Sequence, residues 1–204
     1  MEWKTELDKE LLERLENLPA LRAFYQIQHL KHLYRQGWLK AGVPRERCET
    51  VADHIFGVAM LCWLLVEAGA APSVNLDRAL RMALIHELGE IYAGDLTPSD
   101  AIPLDEKHAR ERQSLERVLE GVQGTEDIRA LWEEFETGES PEARLVRQAD
   151  RLEMALQAVT YAREGALKRP GAFFQSARQA LADAQLLLWM EIASTALIPD
   201  TGRE

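Results

Sequence analysis

The chain has 204 residues, of which 47% are hydrophobic and 28% are charged, and its formal net charge is −10. This composition is that of an ordinary soluble globular protein, and it excludes a disordered or collagen-like chain. Because nucleic-acid duplexes and anionic membranes bind basic surfaces, neither is expected as a partner. A small anionic substrate is compatible with the charge if local cations or a metal offset it. The length allows one sizeable core, and we predict a single domain over residues 1–204.

We expect the protein to be cytoplasmic. Its two cysteines, Cys48 and Cys62, support neither a disulfide framework nor a cysteine-type zinc site. Residues 1–6 are charged and no apolar segment follows them, so no export signal is predicted. The longest apolar runs, 58–66 and 186–190, are too short to span a bilayer.

Helical periodicity recurs from end to end, and no segment alternates strictly between apolar and polar residues. We therefore predict an all-α fold, a bundle of seven or eight packed helices. The predicted helices cover, in chain order, residues 7–18, 21–34, 50–68, 75–92, 105–120, 125–136, 140–165 and 172–197. The stretch 36–48 contains Gly42 and Pro44 and is predicted to be a loop. Residues 95–103 contain prolines and cannot continue a helix.

Residues typical of helix caps support several of these boundaries. Thr50 has Asp53 three residues later, which is the spacing of a capping box. Asn75 is predicted to cap the helix that follows it, and Gly94 to close that helix with a positive φ. Ser140 precedes a proline, which suits the first helical turn because its missing N–H costs nothing there.

One of the predicted helices carries charge where an apolar face is expected. The run Ala-Leu-Ile-His-Glu-Leu-Gly-Glu at 83–90 contains a histidine and two carboxylates. His86 and Glu90 are four apart and are predicted to share one helix face, with Glu87 approaching from an adjacent direction. Burying such groups is costly unless they are paired or bound to a cation. His54 and Asp150 have the same character in two other helices, and together these residues indicate a divalent metal.

The types of these side chains narrow the chemistry. Imidazole combined with carboxylate suits Mn, Fe, Co, Ni or Zn, whereas oxygen ligands alone would indicate Mg or Ca. A site of two histidines and two carboxylates leaves room for water, which a metal activates as a nucleophile near neutral pH. Hydrolysis is therefore the predicted class of reaction.

The order and spacing of these motifs resemble those of the HD-domain metal-dependent phosphohydrolases, most closely the branch of 5'-deoxynucleotidases. The resemblance covers about residues 30–161. Its specific parts are Tyr-Arg-Gln-Gly-Trp at 34–38, Glu-Thr-Val-Ala-Asp-His at 49–54, the run at 83–90 with Gly-Asp at 94–95, and Val-Arg-Gln-Ala-Asp at 146–150. It implies a compact helical domain, with the helix 172–197 packed on the core. It also implies a homodimer that releases nucleoside and phosphate from deoxynucleoside monophosphates, using cobalt, manganese or a similar ion.

The resemblance assigns a role to each matching position. Glu90 corresponds to the carboxylate that assists proton transfer around the attacking water, and Asp95 to the acid that orients this water beside the scissile phosphate. The implied metal ligands are His54, His86, Glu87 and Asp150.

Three further residues are candidates for binding the substrate. Arg35 corresponds to the phosphate-binding arginine, a role that suits a rigid two-pronged donor. Trp38 is expected near the sugar, where it would help to exclude a 2'-hydroxyl. Lys107, which lies in the charged helix 105–120, is long enough to reach a substrate phosphate.

One position departs from the family pattern, because Glu87 stands where the family's name implies aspartate. Glutamate keeps the charge but moves its carboxylate by up to roughly 1.5 Å, one carbon–carbon bond. That is several times the tolerance of a metal–ligand distance. Either the backbone and rotamer absorb the extra reach, or the metal binds more weakly, or another ion is preferred. We favour a working site because the other matching positions are retained.

Each residue also has a simpler explanation. His54 alone would be a core histidine, and Asp150 a surface acid paired with a neighbouring arginine. Asp95 suits a turn after glycine, and an arginine such as Arg35 complements a helix C-terminus. His108 lies among charged residues and is expected to be exposed.

The function also has alternatives. One is a non-catalytic nucleotide-binding or interaction module in which Glu87 has weakened the metal site. Another keeps hydrolysis but acts on a triphosphate, cyclic or alarmone nucleotide, because specificity depends on details of the pocket. Several tryptophans on apolar helical stripes, Trp63 among them, are expected in the core or at a dimer surface.

Overall fold

The computed structural model describes residues 7–196. The α-helices in this range are, in chain order, α1 (Lys9–Arg14), α2 (Pro19–Ile27), α3 (Gln36–Lys40), α4 (Val51–Glu67), α5 (Leu76–Ile85), α6 (Glu90–Ala93), α7 (Leu104–Val118), α8 (Glu126–Thr137), α9 (Pro141–Arg163), α10 (Gly171–Ala180) and α11 (Ala184–Ala196). Three short 3₁₀ helices also occur, at Gln28–Lys31, Arg45–Arg47 and Pro98–Asp100.

The predicted all-α fold is confirmed, and eight helices of the described range have nine or more residues. None of the helices in residues 7–196 is long and apolar enough to cross a membrane. The charged residues 1–6 and the predicted helix end at residue 197 lie outside the described residues.

The predicted caps are present. Thr50 and Asp53 form a capping box, in which each side chain accepts a hydrogen bond from the other residue's backbone N–H. Asn75 caps α5, and Ser140 caps α9 by accepting from the N–H of the third helical residue. Gly94 ends α6 with a φ of 84°, a value that favours glycine.

The long helix α9 lies at the centre of the fold and packs against α4, α5, α8, α10 and α11. Its buried face contains several alanines, which let neighbouring helices approach closely: Ala143, Ala149, Ala155 and Ala158. Larger side chains of α4 and α5 fill the space beside it: Val58, Cys62, Leu65 and Met82. Complete burial of a valine, leucine or methionine side chain contributes about 1.5–3 kcal/mol. This core holds α4, α5 and α9 side by side.

The predicted helix 75–92 is wrong as a continuous element. It ends at Ile85, and residues 86–89 form turns before α6 begins at Glu90. His86 contributes to the break, because its Nδ1 donates to the Ala83 carbonyl at 2.7 Å. In a regular helix that carbonyl would accept the N–H of residue 87. His86 and Glu90 therefore belong to different elements and not to one face of a helix.

The predicted helix 172–197 is also interrupted. The chain leaves α10 after Ala180, and Asp183 caps α11 by accepting from the N–H groups of Gln185 and Leu186. Gln148 on α9 accepts hydrogen bonds from the N–H groups of residues 182 and 183. These long-range contacts satisfy the backbone groups that the break exposes.

Smaller differences occur near the N-terminus, where the predicted helix 7–18 is only Lys9–Arg14 and the predicted helix 21–34 ends at Ile27, followed by a 3₁₀ helix. The predicted loop 36–48 contains α3 and a 3₁₀ helix, so Trp38 lies within a helix. Pro19 occupies the first turn of α2, where a proline is tolerated, so that α2 begins before the predicted residue 21.

Candidate metal centre

Four side chains that are distant in sequence meet beside the core. His54 comes from α4, His86 and Glu87 from the turn after α5, and Asp150 from α9, and one ligand-type atom of each lies within 4.8 Å of the others. His54 Nε2 is 3.2 Å from Asp150 Oδ1 and 3.8 Å from Glu87 Oε1. His86 Nε2 is 3.7 Å from Glu87 Oε1. The structure thus brings together the four residues that the resemblance selected.

The two imidazole rings are held in matching tautomers. His54 Nδ1 lies 2.6 Å from Glu153 Oε2, and His86 Nδ1 lies 2.7 Å from the Ala83 carbonyl oxygen. A carboxylate and a carbonyl are acceptors, so each Nδ1 donates a proton and each Nε2 is the nitrogen that can present a lone pair to a metal. Both Nε2 atoms are buried and have no hydrogen-bond partner among the described residues. Histidines that bind metals are commonly held in this way.

The acidic side chains give the site a negative charge that needs compensation. Burial raises the pKa of Glu87, but the histidines and Arg35 outweigh it and bring that pKa below its usual range. Burial likewise opposes ionisation of Asp150, yet His54 and Arg151 hold the pKa of Asp150 well below its usual range. Both groups are therefore anionic at neutral pH, which suits binding of a divalent cation.

The pKa values of the two histidines shift in opposite directions. Burial lowers the pKa of His86, which favours the neutral ring. Burial also lowers the pKa of His54, but Asp150 and Glu153 outweigh it and raise that pKa to about 9. A proton and a metal ion compete for the same Nε2 lone pair. The orphaned nitrogens and the surrounding acids are thus a donor set that fits a divalent metal.

Arg35 and Asp95 lie directly beside these four residues. Arg35 precedes α3, and its Nη1 is 3.2 Å from Asp95 Oδ1 and 3.3 Å from Glu87 Oε1. The other Asp95 oxygen accepts from the N–H of Gln36. Arg35 is not at the C-terminus of a helix, so its position is explained by the acidic cluster and not by a helix dipole.

Glu90 is buried at the same place, with a residue exposure of 2%. Its Oε2 has no hydrogen-bond partner in the described part of the chain, and its Oε1 is 4.0 Å from Arg35 Nη1. Burial, with Glu87 and Asp95 nearby, raises the pKa of Glu90 well above its usual range. An unpartnered carboxyl in this position is able to exchange a proton with a group in the site.

The cluster opens into a cleft of about 1330 Å³. Among the described residues it is lined by eight acidic side chains and by five basic ones that offset part of their charge: Arg35, Lys107, Arg112, Arg147 and Arg151. Lys107 Nζ is 3.2 Å from Glu111 Oε1 on the next turn of α7. His108, expected to be exposed, instead stacks on Trp132 and lines the cleft. The cleft can accept an anionic ligand larger than phosphate.

Trp38 lines the cleft but is almost completely buried, with 2% of the residue exposed. Its Nε1–H donates to Glu49 Oε1 at 2.6 Å. Its ring packs against Phe173 of α10, with 4.2 Å between the ring centroids. Trp38 therefore contributes a rigid apolar wall, and its polar group points away from any ligand.

Several residues of the site were not predicted from the sequence. Glu153 holds His54, and its signal was its position one helical turn after Asp150. Glu49 stood in a matching motif without an assigned role. Burial and Glu153 raise the pKa of Glu49 to about 7. Phe173 carried no signal, because only the docking of α10 onto α9 brings it to Trp38.

This arrangement defines a helical metal-dependent hydrolase fold whose cleft is lined by both acidic and basic side chains. The model of the HD domain family matches residues 27–185, and the chain belongs to that family. Family membership and the donor set together imply a divalent metal.

Comparison with individual proteins confirms the resemblance to the HD-domain phosphohydrolases of the 5'-deoxynucleotidase branch. The chain is 37% identical over 155 residues to the 5'-deoxynucleotidase HDDC2 of Mus musculus, which covers 74% of this chain and 73% of that protein. It resembles the crystal structure of PH0347 protein from Pyrococcus horikoshii OT3 with a TM-score of 0.70, 30% identity and coverage of 86% and 96% of the two chains. A predicted metal-dependent phosphohydrolase from Magnetospirillum magnetotacticum MS-1 matches with a TM-score of 0.64, 26% identity and coverage of 88% and 91%.

Proposed function

We propose that this protein is a metal-dependent phosphohydrolase that converts deoxynucleoside 5'-monophosphates to deoxynucleosides and phosphate. One observation carries the proposal: His54 Nε2 and His86 Nε2 are buried, have no hydrogen-bond partner among residues 7–196 and are directed at carboxylates. The name of the mouse relative supports the substrate class. The cationic residues that line the cleft support an anionic substrate.

In this proposal the metal ligands are His54, His86, Glu87 and Asp150. Two imidazoles with two carboxylates suit Co, Mn, Ni, Fe or Zn. Glu87 can serve in spite of its extra methylene because it lies in a turn, where its Oε1 is already within 3.8 Å of both histidine nitrogens. When bound, the ion supplies Lewis acidity toward water and phosphoryl oxygen.

Glu90 and Asp95 are the proposed catalytic residues. Glu90 Oε2 has no partner among the described residues, so in its ionised form, which a nearby bound cation would favour, it is available to take the proton of the attacking water and return it to the leaving oxygen. Asp95 is fixed by Arg35 and by the N–H of Gln36, so it offers a rigid acceptor that orients the water.

Arg35, Lys107 and Trp38 are the proposed substrate-binding residues. The planar guanidinium of Arg35 matches two phosphate oxygens, and it lies next to the acidic cluster, where the phosphate must sit. Lys107 reaches the same cleft from α7 and adds a second positive charge. Trp38 and Phe173 form a wall that favours a sugar without a 2'-hydroxyl by excluding volume.

We further propose a homodimer. Four large apolar side chains recur at helical spacing on α4 and are exposed to solvent: Phe56, Met60, Trp63 and Leu64. A contiguous apolar helix face of this kind marks an interaction surface, and a second copy would cover it. Light scattering tests this proposal, and we expect Trp63→Glu to convert dimers to monomers. A wild-type protein that is already monomeric at micromolar concentration would contradict it.

We also propose a cytoplasmic location. Cys48 and Cys62 are the two cysteines of the chain, and both are buried free thiols. Reduced thiols are typical of a reducing compartment.

Phosphate release from a panel of phosphate esters tests the activity. The panel contains deoxyribonucleoside and ribonucleoside 5'-monophosphates, 3'-monophosphates, triphosphates and cyclic nucleotides, each with Co²⁺, Mn²⁺, Zn²⁺, Mg²⁺ or a chelator. We expect turnover of the deoxynucleoside 5'-monophosphates with a transition metal, and none with the chelator or with His86→Ala. A bound metal without turnover of any ester would favour the non-catalytic module, and turnover of triphosphates or cyclic nucleotides alone would change the substrate.

A further inference from the structure

We propose that Glu153 is a positioning residue that fixes His54 for metal binding, and that Gly57 is the residue whose missing side chain lets Glu153 reach it. The inference rests on the proposed metal centre but not on which nucleotide the protein hydrolyses.

Helices α4 and α9 each carry two residues of the site three positions apart. His54 and Gly57 are three residues apart on α4, and Asp150 and Glu153 are three apart on α9. Residues at this spacing lie on the same face of a helix. His54 lies between the two acids, with Nε2 at 3.2 Å from Asp150 and Nδ1 at 2.6 Å from Glu153. One helix thus supplies both a ligand and the group that orients a second ligand.

A further support is the lack of space at Gly57. A Cβ placed on Gly57 would lie 2.8 Å from Glu153 Oε1 and 2.9 Å from Glu153 Cγ. Both distances are shorter than a carbon contact tolerates, so any side chain at position 57 displaces Glu153. A glycine in the interior of a helix makes the folded protein less stable than an alanine at the same position does. The close approach of Glu153 is a physical reason for a glycine in the middle of α4.

A second ion at this place is a competing explanation. Glu49, His54 and Glu153 also offer ligand-type atoms within 4.8 Å of one another. His54 would have to bind such an ion through Nδ1, but Nδ1 carries the proton that it donates to Glu153. His54 Nε2 faces the proposed metal ligands Glu87 and Asp150. The imidazole ring would therefore have to lose both of its protons to bind one ion through each nitrogen. The group around Glu153 therefore supports the ring and does not bind a metal.

The hydrogen bond has two effects on His54. It holds the ring plane, so that Nε2 keeps its direction toward Glu87 and Asp150. It also places a negative charge behind the ring, which makes the Nε2 lone pair more basic and its bond to a metal stronger. Loss of a carboxylate partner of a metal-binding histidine typically weakens metal affinity by roughly 10–100-fold.

Affinity for Co²⁺ tests the inference, because visible absorption and competition with a chelator measure it without any turnover. The variants are Glu153→Ala, Glu153→Gln and Gly57→Ala, and unfolding curves of the metal-free proteins verify that each is folded. We expect Glu153→Ala and Gly57→Ala to weaken Co²⁺ binding by about 10–100-fold and Glu153→Gln by about tenfold. Gly57→Ala is the sharpest case because it removes no polar atom.

Glu142→Gln is the matched control. Glu142 is a buried glutamate of the same helix that accepts from the N–H of Asn75 at 2.7 Å, away from the cluster. We expect Glu142→Gln to keep the Co²⁺ affinity of wild type. In Gly57→Ala, where binding is weakened, we expect excess Co²⁺ to restore kcat.

Wild-type Co²⁺ affinity in folded Gly57→Ala and Glu153→Gln would overturn the inference. Wild-type protein that binds Co²⁺ without hydrolysing any nucleotide would refute the proposed function and leave the affinities of the variants to decide this inference. Absence of metal binding by wild type would refute both.

Discussion

His54 Nε2 and Asp150 Oδ1 face each other across 3.2 Å, and this contact joins α4 to α9. The histidine is completely buried, and its Nε2 has no hydrogen-bond partner within residues 7–196. A bare imidazole lone pair opposite a carboxylate oxygen is unfavourable in a buried site, so either a proton, which the raised pKa of His54 favours, or a cation must lie between these two atoms. A divalent cation satisfies both atoms at once, so metal binding and the packing of these two helices are coupled.

The first prediction is that metal removal destabilises the protein. A ligand that binds only the folded state stabilises it by about 2.7 kcal/mol at a concentration of 100 Kd. We expect Co²⁺ or Mn²⁺ to raise the melting temperature of chelator-treated protein, and Asp150→Asn to abolish that increase. Identical melting curves for wild type with and without these ions would contradict the coupling.

The second prediction concerns Glu87→Asp. Glu87 lies in the turn between α5 and α6, and aspartate would keep the charge while withdrawing the carboxylate by up to roughly 1.5 Å. Because a turn can adjust more easily than a helix, we expect metal binding and phosphate release to be retained or increased, with a changed preference among Mn²⁺, Co²⁺ and Mg²⁺. Glu87→Gln, which keeps the size but not the charge, is the control and should lose metal. An unchanged order of metal preference in Glu87→Asp, together with wild-type metal binding in Glu87→Gln, would remove Glu87 from the ligand set.

Local signals were sufficient to predict most of the helices. The capping box of Thr50 and Asp53 depends on residues three apart, so the sequence contains all of the information about it. The same holds for the caps of α5 and α9. The family resemblance supplied what periodicity could not, namely that His54, His86 and Asp150 converge although they belong to different elements.

Other features depend on contacts between distant segments, and the sequence could not show them. The break after Ile85 accompanies a close contact between Gly89 and Glu111 of α7. The break before α11 uses a hydrogen-bond acceptor from Gln148. Glu153 became visible as a partner of His54 only when the register of α4 against α9 was known.

The third prediction tests the contact at Gly89. A Cβ on Gly89 would lie 2.6 Å from Glu111 Cβ and 3.0 Å from the Glu111 carbonyl oxygen, and this carbonyl cannot move aside as a side chain can. We expect Gly89→Ala to destabilise the protein by about 1–3 kcal/mol through overpacking, and to lower kcat because Glu90 follows directly. Urea unfolding and phosphate release measure the two effects.

Gly171→Ala is the control for this substitution, because a Cβ on Gly171 meets no atom of the described residues within 4 Å. It should leave both the unfolding curve and kcat near those of wild type. Equal stability of Gly89→Ala and wild type would show that α6 and α7 separate more easily than the contact indicates.

The fourth prediction concerns Arg35. Its Nη1 contacts both Asp95 and Glu87, and lysine cannot reproduce the planar fork that grips two phosphate oxygens. We expect Arg35→Lys to reduce kcat/KM by about 10–100-fold, equivalent to about 1.4–2.8 kcal/mol, mainly through a higher KM. Steady-state kinetics with saturating metal provide the measurement. An unchanged KM would exclude Arg35 from phosphate binding.

The last prediction is a pH dependence of stability that arises from Glu111. Burial raises the pKa of Glu111 from an ordinary value of 4.5 to about 7, and Lys107 at 3.2 Å only partly opposes the increase. Since the folded state favours the protonated acid, the resulting stability is full below pH 4.5 and is lost as the pH rises through about 7. Glu111→Gln resembles the protonated acid at every pH. Its melting temperature should therefore match wild type near pH 4.5 and exceed it at pH 8, whereas a constant difference between the two proteins would show that Glu111 does not titrate in this window.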